Sequence, residues 1–210
     1  AQLMAAATVD IPAIVLSGGP MLNGWFRGER TGSGTIVWKA RELLAAGEIN
    51  DEEFIELIAS SAPSVGHCNT MGTASTMNSL AEALGMSLPG SAAIPAPHKD
   101  RAVNAYESGK RIVEMVWEDY KPRDFLSKGS FDNAITTLMA MGGSTNAVVH
   151  LVAMAGRAGL PFSLDRYNEI SAKVPVIANV RPSGNKYLME DFFYAGGLRA
   201  LLFSLKDLLD

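Results

Sequence analysis

Residues 11–20, IPAIVLSGGP, decide how the chain is read. AIVL (13–16) is a short unbroken apolar run, entered through Ile11-Pro12 and closed by Ser17-Gly18-Gly19-Pro20. A run of that kind fits a buried parallel strand. PVIANV (175–180) reads as a second strand and Ala92–Ile94 as a shorter piece. Between these runs the apolar positions take helical spacing. Strands separated by helices at long intervals predict the α/β class: a helix-rich layered domain with a mostly parallel sheet. The Gly-Gly-Pro loop closing the first strand would turn backbone N–H groups outward, where α/β proteins place ligands, or would be a plain tight turn.

Working outward, helices are expected over residues 1–8, 36–47 (closed by Gly47), 52–62 (capped by Asn50 or Asp51) and 72–84 (closed by Gly85). Asp100 is the expected cap of a long helix over 101–120. Its apolar positions include Val103, Tyr106, Ile112, Val113, Val116 and Trp117. Ser130 is the expected cap of 131–141. A second glycine turn, Gly142-Gly143, opens 147–159, and Ser163 caps the next helix. Two more helices, 188–195 and 198–209, flank Gly196-Gly197. Residues 21–35 read as a flexible Gly-rich polar loop, a lid or a subunit contact.

The chain has 210 residues, 48% of them hydrophobic and 19% charged, with net charge −4. That balance offers nothing to nucleic acid or to an anionic membrane. No apolar run reaches the roughly 18 residues of a membrane span, and the start lacks the basic region of a signal peptide. One cysteine allows no internal disulfide, which points to a reduced, cytoplasmic protein. The chain opens already in an apolar helical pattern and ends at LLFSLKDLLD while still amphipathic. Both ends read either as cuts from a longer chain or as ordinary terminal helices.

Chemistry concentrates in Pro63–Gly90, PSVGHCNTMGTASTMNSLAEALGMSLPG. Cys68 lies just ahead of a helix start, where the dipole and free N–H groups favour a thiolate. It reads as a nucleophile, a metal ligand or a small buried residue. His150 falls on an apolar helix face and reads as a core histidine. Glu190-Asp191 is a carboxylate pair suited to Mg²⁺ or to a helix's first turn. No HExxH, GxSxG or nucleotide-binding glycine loop is present.

The run His67-Cys68-Asn69-Thr70-Met71-Gly72-Thr73-Ala74-Ser75-Thr76-Met77-Asn78, with Glu82 to Gly90, closely resembles the iron–sulfur dehydratases that act on dihydroxy acids, phosphogluconate and sugar acids. SGGPM (17–21), MGGSTNAVVHL (141–151) and PSGNKYLMEDFFYAGG (182–197) extend the resemblance over essentially the whole chain. The resemblance implies that residues 1–210 are an internal, incomplete part of an N-terminal three-layer α/β/α domain whose C-terminal β-barrel partner is absent. It implies a [2Fe–2S] cluster held by three cysteines, of which Cys68 is one, and a Mg²⁺ site. Both would be completed by residues outside this chain, as would the catalytic base.

The implied reaction is dehydration of a 2,3-dihydroxy acid to a 2-keto acid, with the iron as Lewis acid on the leaving hydroxyl. Ser144, Thr145 and Asn146 are the residues expected to line the substrate, through donors at a helix start. The HCNTMGTASTMN string and AIPAP (93–97) look more like the sugar-acid branch, of arabinonate or xylonate type. A dihydroxy-acid dehydratase of branched-chain amino-acid synthesis and a non-catalytic module are the alternatives. The expected partner is a small sugar acid, with no nucleic acid or membrane. The full-length protein is expected to be a homo-oligomer, a dimer or tetramer, and this piece alone inactive.

Overall fold

The computed structural model describes all of residues 1–210. The elements in order are α1 (Gln2–Val9), β1 (Gly24–Phe26), β2 (Glu29–Thr31), α2 (Ile36–Ala45), α3 (Asp51–Ser60), α4 (Thr73–Ala83) and α5 (Lys99–Glu118). There follow α6 (Pro122–Phe125), α7 (Lys128–Ala140), α8 (Asn146–Arg157), α9 (Asp165–Ser171), α10 (Met189–Tyr194), α11 (Gly197–Ser204) and a 3₁₀ turn, Lys206–Leu208. Helix α7 is the hub of the core. Its Phe131, Ala134, Ile135 and Leu138 meet Leu80 of α4 and Leu84 just after it, Leu151 of α8, Tyr167 and Ile170 of α9, and Leu198 and Leu201 of α11 in one cluster. A separate small cluster, Ile36, Ala40 and Leu57, joins α2 to α3.

The helix ends follow local chemistry. Asn50 caps α3 in a capping box, its side chain accepting from Glu53 N at 2.9 Å while Glu53 accepts from Asn50 N at 3.1 Å. Gly85 follows α4 at φ +80°, a conformation glycine adopts without strain. Two expected caps are corrected. His98, not Asp100, caps α5, its Nδ1 accepting from Asp100 N at 3.2 Å. Ser127, not Ser130, caps α7, accepting from Ser130 N at 3.2 Å. In each case the helix begins earlier than the apolar pattern does, so the true cap lies upstream.

The expected parallel sheet is not there as a ladder. Only β1 and β2 form a sheet, an antiparallel hairpin turned by Arg27-Gly28, both at positive φ. Residues 13–16, 92–94 and 175–180 form no strand. They touch other segments through single bonds: Val15 N donates to Met86 O at 2.7 Å, Ala96 N to Pro20 O at 2.8 Å, and Ile177 N to Ala140 O at 2.8 Å. Two isolated parallel bridges remain, Pro20 with His67 and Val180 with Tyr187. Prolines explain much of this. Pro12, Pro20, Pro95, Pro97 and Pro175 each delete a ladder donor within or beside these runs. Nor is 175–180 a buried strand, since Val176 is 69% exposed. The α/β reading reduces to a helix-rich domain crossed by extended segments.

The loop over 21–35 is not free either. It carries the hairpin, and Gly34 passes so close to Thr70 that a Cβ there would sit 2.9 Å from Thr70 Oγ1. Helix α5 inverts its expected orientation. Ser108 and Met115 are buried, whereas Val103, Tyr106, Val113, Val116 and Trp117 face outward. No helix is long and apolar enough to cross a membrane.

Candidate active site around Cys68

Cys68 is exposed, on the segment between α3 and α4. The residues on either side of it are fixed. His67 is gripped through its backbone by the SGGPM turn: its N–H donates to Gly19 O at 3.0 Å, and its carbonyl accepts from Met21 N at 2.9 Å. Those bonds occupy the turn that was a candidate ligand loop, and Gly19 and Pro20 are buried. The His67 ring is held at both nitrogens. Nε2 lies 2.7 Å from Asn78 Nδ2, one helical turn into α4, and Nδ1 lies 3.1 Å from Cys68 O. The Asn78 amide nitrogen can only donate, so Nε2 accepts and the ring proton sits on Nδ1, donating to the Cys68 carbonyl. Burial pushes the His67 pKa below its usual value, Arg101 nearby acts the same way, and the bond to Cys68 O opposes both without reversing them.

On the other side Asn69 is fully buried and ties three segments together. Its Oδ1 accepts from Ser33 N at 2.9 Å and Ser33 Oγ at 3.1 Å, and its Nδ2 donates to Leu22 O at 2.8 Å. Its own carbonyl accepts from Met189 N at 2.8 Å, at the start of α10. Cys68 therefore stands as an exposed crest between two anchored residues. Helix α4 starts only at Thr73, so Asn69, Thr70 and Met71 separate the thiol from the helix end. Cys68 therefore does not sit at the N-terminus of α4 itself, contrary to the expected placement just ahead of a helix start.

Ser144, Thr145 and Asn146 form the start of α8, and the structure joins two of them to the start of α4. Ser144 Oγ lies 3.1 Å from Thr73 Oγ1, Asn146 Nδ2 donates to Thr73 Oγ1 at 2.8 Å, and Ser144 N donates to Thr76 Oγ at 3.0 Å. Two helix N-termini thus meet through a cluster of hydroxyl and amide groups. Thr145 and Asn146 are exposed, and Thr145 makes no side-chain cap. Thr73 is the member that sequence reading missed; the only signal for it was its place in the helix-opening glycine turn.

Other candidates are accounted for structurally. Glu190 Oε2 accepts from Asn23 N at 2.6 Å. Asp191 pairs with Arg30 at 3.0 Å and accepts from Leu188 N at 2.9 Å. Both carboxylates clamp the hairpin to α10 and are not a free cation pair. His150 is half-buried, lining a shallow hollow with Ala1, Met77, Asn78 and Met154. Its ring makes no hydrogen bond to another protein group, so it is not the satisfied core histidine that its place on the apolar face suggests. No three His, Cys, Asp or Glu side chains group in a way that could hold a metal ion.

The family model described as "Dihydroxy-acid/6-phosphogluconate dehydratase N-terminal" matches residues 1–210. D-Xylonate dehydratase of Caulobacter vibrioides is 58% identical over 98% of this chain and 34% of its own length. L-Arabinonate dehydratase of Rhizobium leguminosarum is also 58% identical, over 95% of this chain and 34% of its own. Dihydroxy-acid dehydratase of Thermodesulfovibrio yellowstonii is 45% identical over 98% of this chain and 37% of its own. The chain spans about a third of the length of these curated relatives. With the Cys68 crest in the HCNTMGTASTMN run and the match extending from residue 1 to residue 210, the chain belongs to the dihydroxy-acid/6-phosphogluconate dehydratase family, as its N-terminal part.

Proposed function

We propose that this chain is part of the N-terminal α/β domain of a hydro-lyase that dehydrates a pentonate-type sugar acid to its 2-keto-3-deoxy acid. The observation that carries the reading is the gap between relatives: 52–58% identity to three enzymes named for xylonate, arabinonate or arabonate, against 44–47% to three named dihydroxy-acid dehydratase, over nearly the same residues.

An exposed thiol with an unbonded Sγ, on a crest fixed at both sides, fits one cluster ligand. This chain supplies that one thiolate; the remaining ligands, the Mg²⁺ site and the catalytic base belong to segments outside it. When bound, the cluster supplies Lewis-acid chemistry to a leaving hydroxyl. The chain's own contribution is placement. Cys68 fixes where that chemistry occurs, and Thr73, Ser144 and Asn146 offer a polyol acid hydrogen bonds at two converging helix starts.

The test uses the full-length protein carrying this chain. Cluster absorbance should appear on reconstitution and be lost in Cys68→Ser, and the loaded enzyme should dehydrate D-xylonate or L-arabinonate. Turnover of 2,3-dihydroxyisovalerate with neither pentonate accepted would move the assignment to the amino-acid branch. A cluster-loaded enzyme inactive on all three would overturn both.

A further inference from the structure

We propose that His67 is a positioning residue for Cys68: its Nδ1–H tautomer, set by Asn78, pins the Cys68 carbonyl and so fixes the direction in which the exposed thiol points. What the thiol is positioned for rests on the cluster reading above; that it is positioned rests on this structure alone.

The argument begins with what holds each residue of the crest. The backbone of His67 is gripped through both its N–H and its carbonyl by Gly19 and Met21. Asn69 is anchored through both ends of its side chain and through its own carbonyl. Cys68 lies between them, and the hydrogen bond that reaches it comes from the His67 ring to its carbonyl. An anchored neighbour on each side fixes the positions of Cα67 and Cα69. The Cys68 peptide plane can still rotate between them, carrying the Cα–Cβ bond with it. The Nδ1–H bond removes that rotation.

The bond depends on the tautomer, and the tautomer depends on Asn78. An amide nitrogen facing Nε2 forces that atom to accept, leaving the proton on Nδ1. The arrangement spans three parts of the fold: the 17–21 turn holds the His67 backbone, α4 holds its ring through Asn78, and the ring holds Cys68. A ligand's orientation is commonly set by such outer partners, whose loss lowers metal affinity about 10- to 100-fold.

Cys68 is the only cysteine, so a nitroxide label attaches there alone. In the 210-residue protein, the labelled wild type should give an electron paramagnetic resonance spectrum with an ordered, slow-moving component. His67→Ala and Asn78→Ala should lose it. His67→Asn, whose amide can donate where Nδ1–H did, should recover much of it. Circular dichroism establishes that each variant is folded, and if His67→Ala is not, Asn78→Ala carries the test. ¹⁵N spectra of the imidazole should show the proton on Nδ1 in wild type.

In the reconstituted full-length protein, His67→Ala should lower cluster affinity about 10-fold or more and broaden the cluster's resonance. An unchanged label spectrum in folded His67→Ala and Asn78→Ala, or a proton on Nε2, overturns the inference. A label spectrum that changes as expected, in a protein whose cluster survives Cys68→Ser, upholds the positioning of Cys68 and overturns the cluster reading instead.

Discussion

Helices α4 and α5 invite comparison, because the weaker pattern in the sequence belongs to the better buried helix. Six of the 11 residues of α4 are buried, among them the polar Ser75, Thr76, Ser79 and Glu82. Of the 20 residues of α5, only Ser108 and Met115 are buried, although its apolar positions are numerous. Its inner face includes Arg101, which reaches the Ile94 carbonyl, while Trp117 on the outer face is 86% exposed. Helical periodicity tells which face is apolar; it does not tell which face is covered. Three of the buried polar groups of α4 serve a neighbour, whereas Ser79 Oγ is buried without a partner. Ser75 donates to Thr70 O at 3.0 Å, Thr76 accepts from Ser144 N, and Glu82 accepts from Gly90 N at 2.5 Å and Ala92 N at 2.8 Å.

The largest difference should appear on truncation. Leu80 of α4 is 0% exposed in the main core, and Leu80→Ala should cost about 2–5 kcal/mol in urea unfolding. Asn69→Ala, at the foot of α4, leaves Ser33 N and the Leu22 carbonyl without their partner, and should cost about 1–3 kcal/mol. A loss below that of the α5 variants would break the comparison.

The pH response should have opposite signs in the two helices. Burial raises the Glu82 pKa above its ordinary value, against the lowering influence of the Gly90 and Ala92 N–H groups. The folded state therefore binds that proton more tightly, and its stabilising effect declines as pH rises through the folded pKa. Hydrogen bonding from Arg111 lowers the pKa of Glu118 on α5, against a smaller opposing effect of burial. That contribution is present above the unfolded pKa and is lost as pH falls through the folded one. Thermal melts between pH 3 and 7 should show Glu82→Gln gaining on wild type as pH rises, and Glu118→Gln losing its deficit as pH falls.

The smallest effects belong to the outer face of α5. Arg111→Ala removes an exposed pair with Glu118 at 2.7 Å and should leave the urea midpoint almost unchanged. Trp117→Ala should stay within about 0.5 kcal/mol of wild type in the isolated 210-residue chain. A loss of several kcal/mol there would show that the face is covered in solution.

Helix ends written in local chemistry were legible: Asn50 before three acidic residues, Gly47 and Gly85 after apolar patterns. Expectations that needed long-range partners failed. AIVL and PVIANV have strand composition, but a ladder needs neighbours with free donors, and the prolines remove several. Arg27-Gly28 is not a strong turn signal, so the sequence predicts a loop where the hairpin lies. At the site, Cys68, Ser144, Thr145 and Asn146 stood out by type and context. Thr73 with Asn146, Asn69 with Ser33, and His67 with Asn78 are contacts across 73, 36 and 11 positions, which no spacing rule reaches.

The prolines also affect how copies of the chain meet in concentrated solution. Extended backbone that ends in no ladder is the material from which intermolecular sheets grow, one strand templating the next. Along 11–20 and 89–97 the rows of donors are interrupted at Pro12, Pro20, Pro89, Pro95 and Pro97. A neighbouring chain finds no continuous edge to zip onto, so the segments that cross the domain unpaired are poor seeds for aggregation.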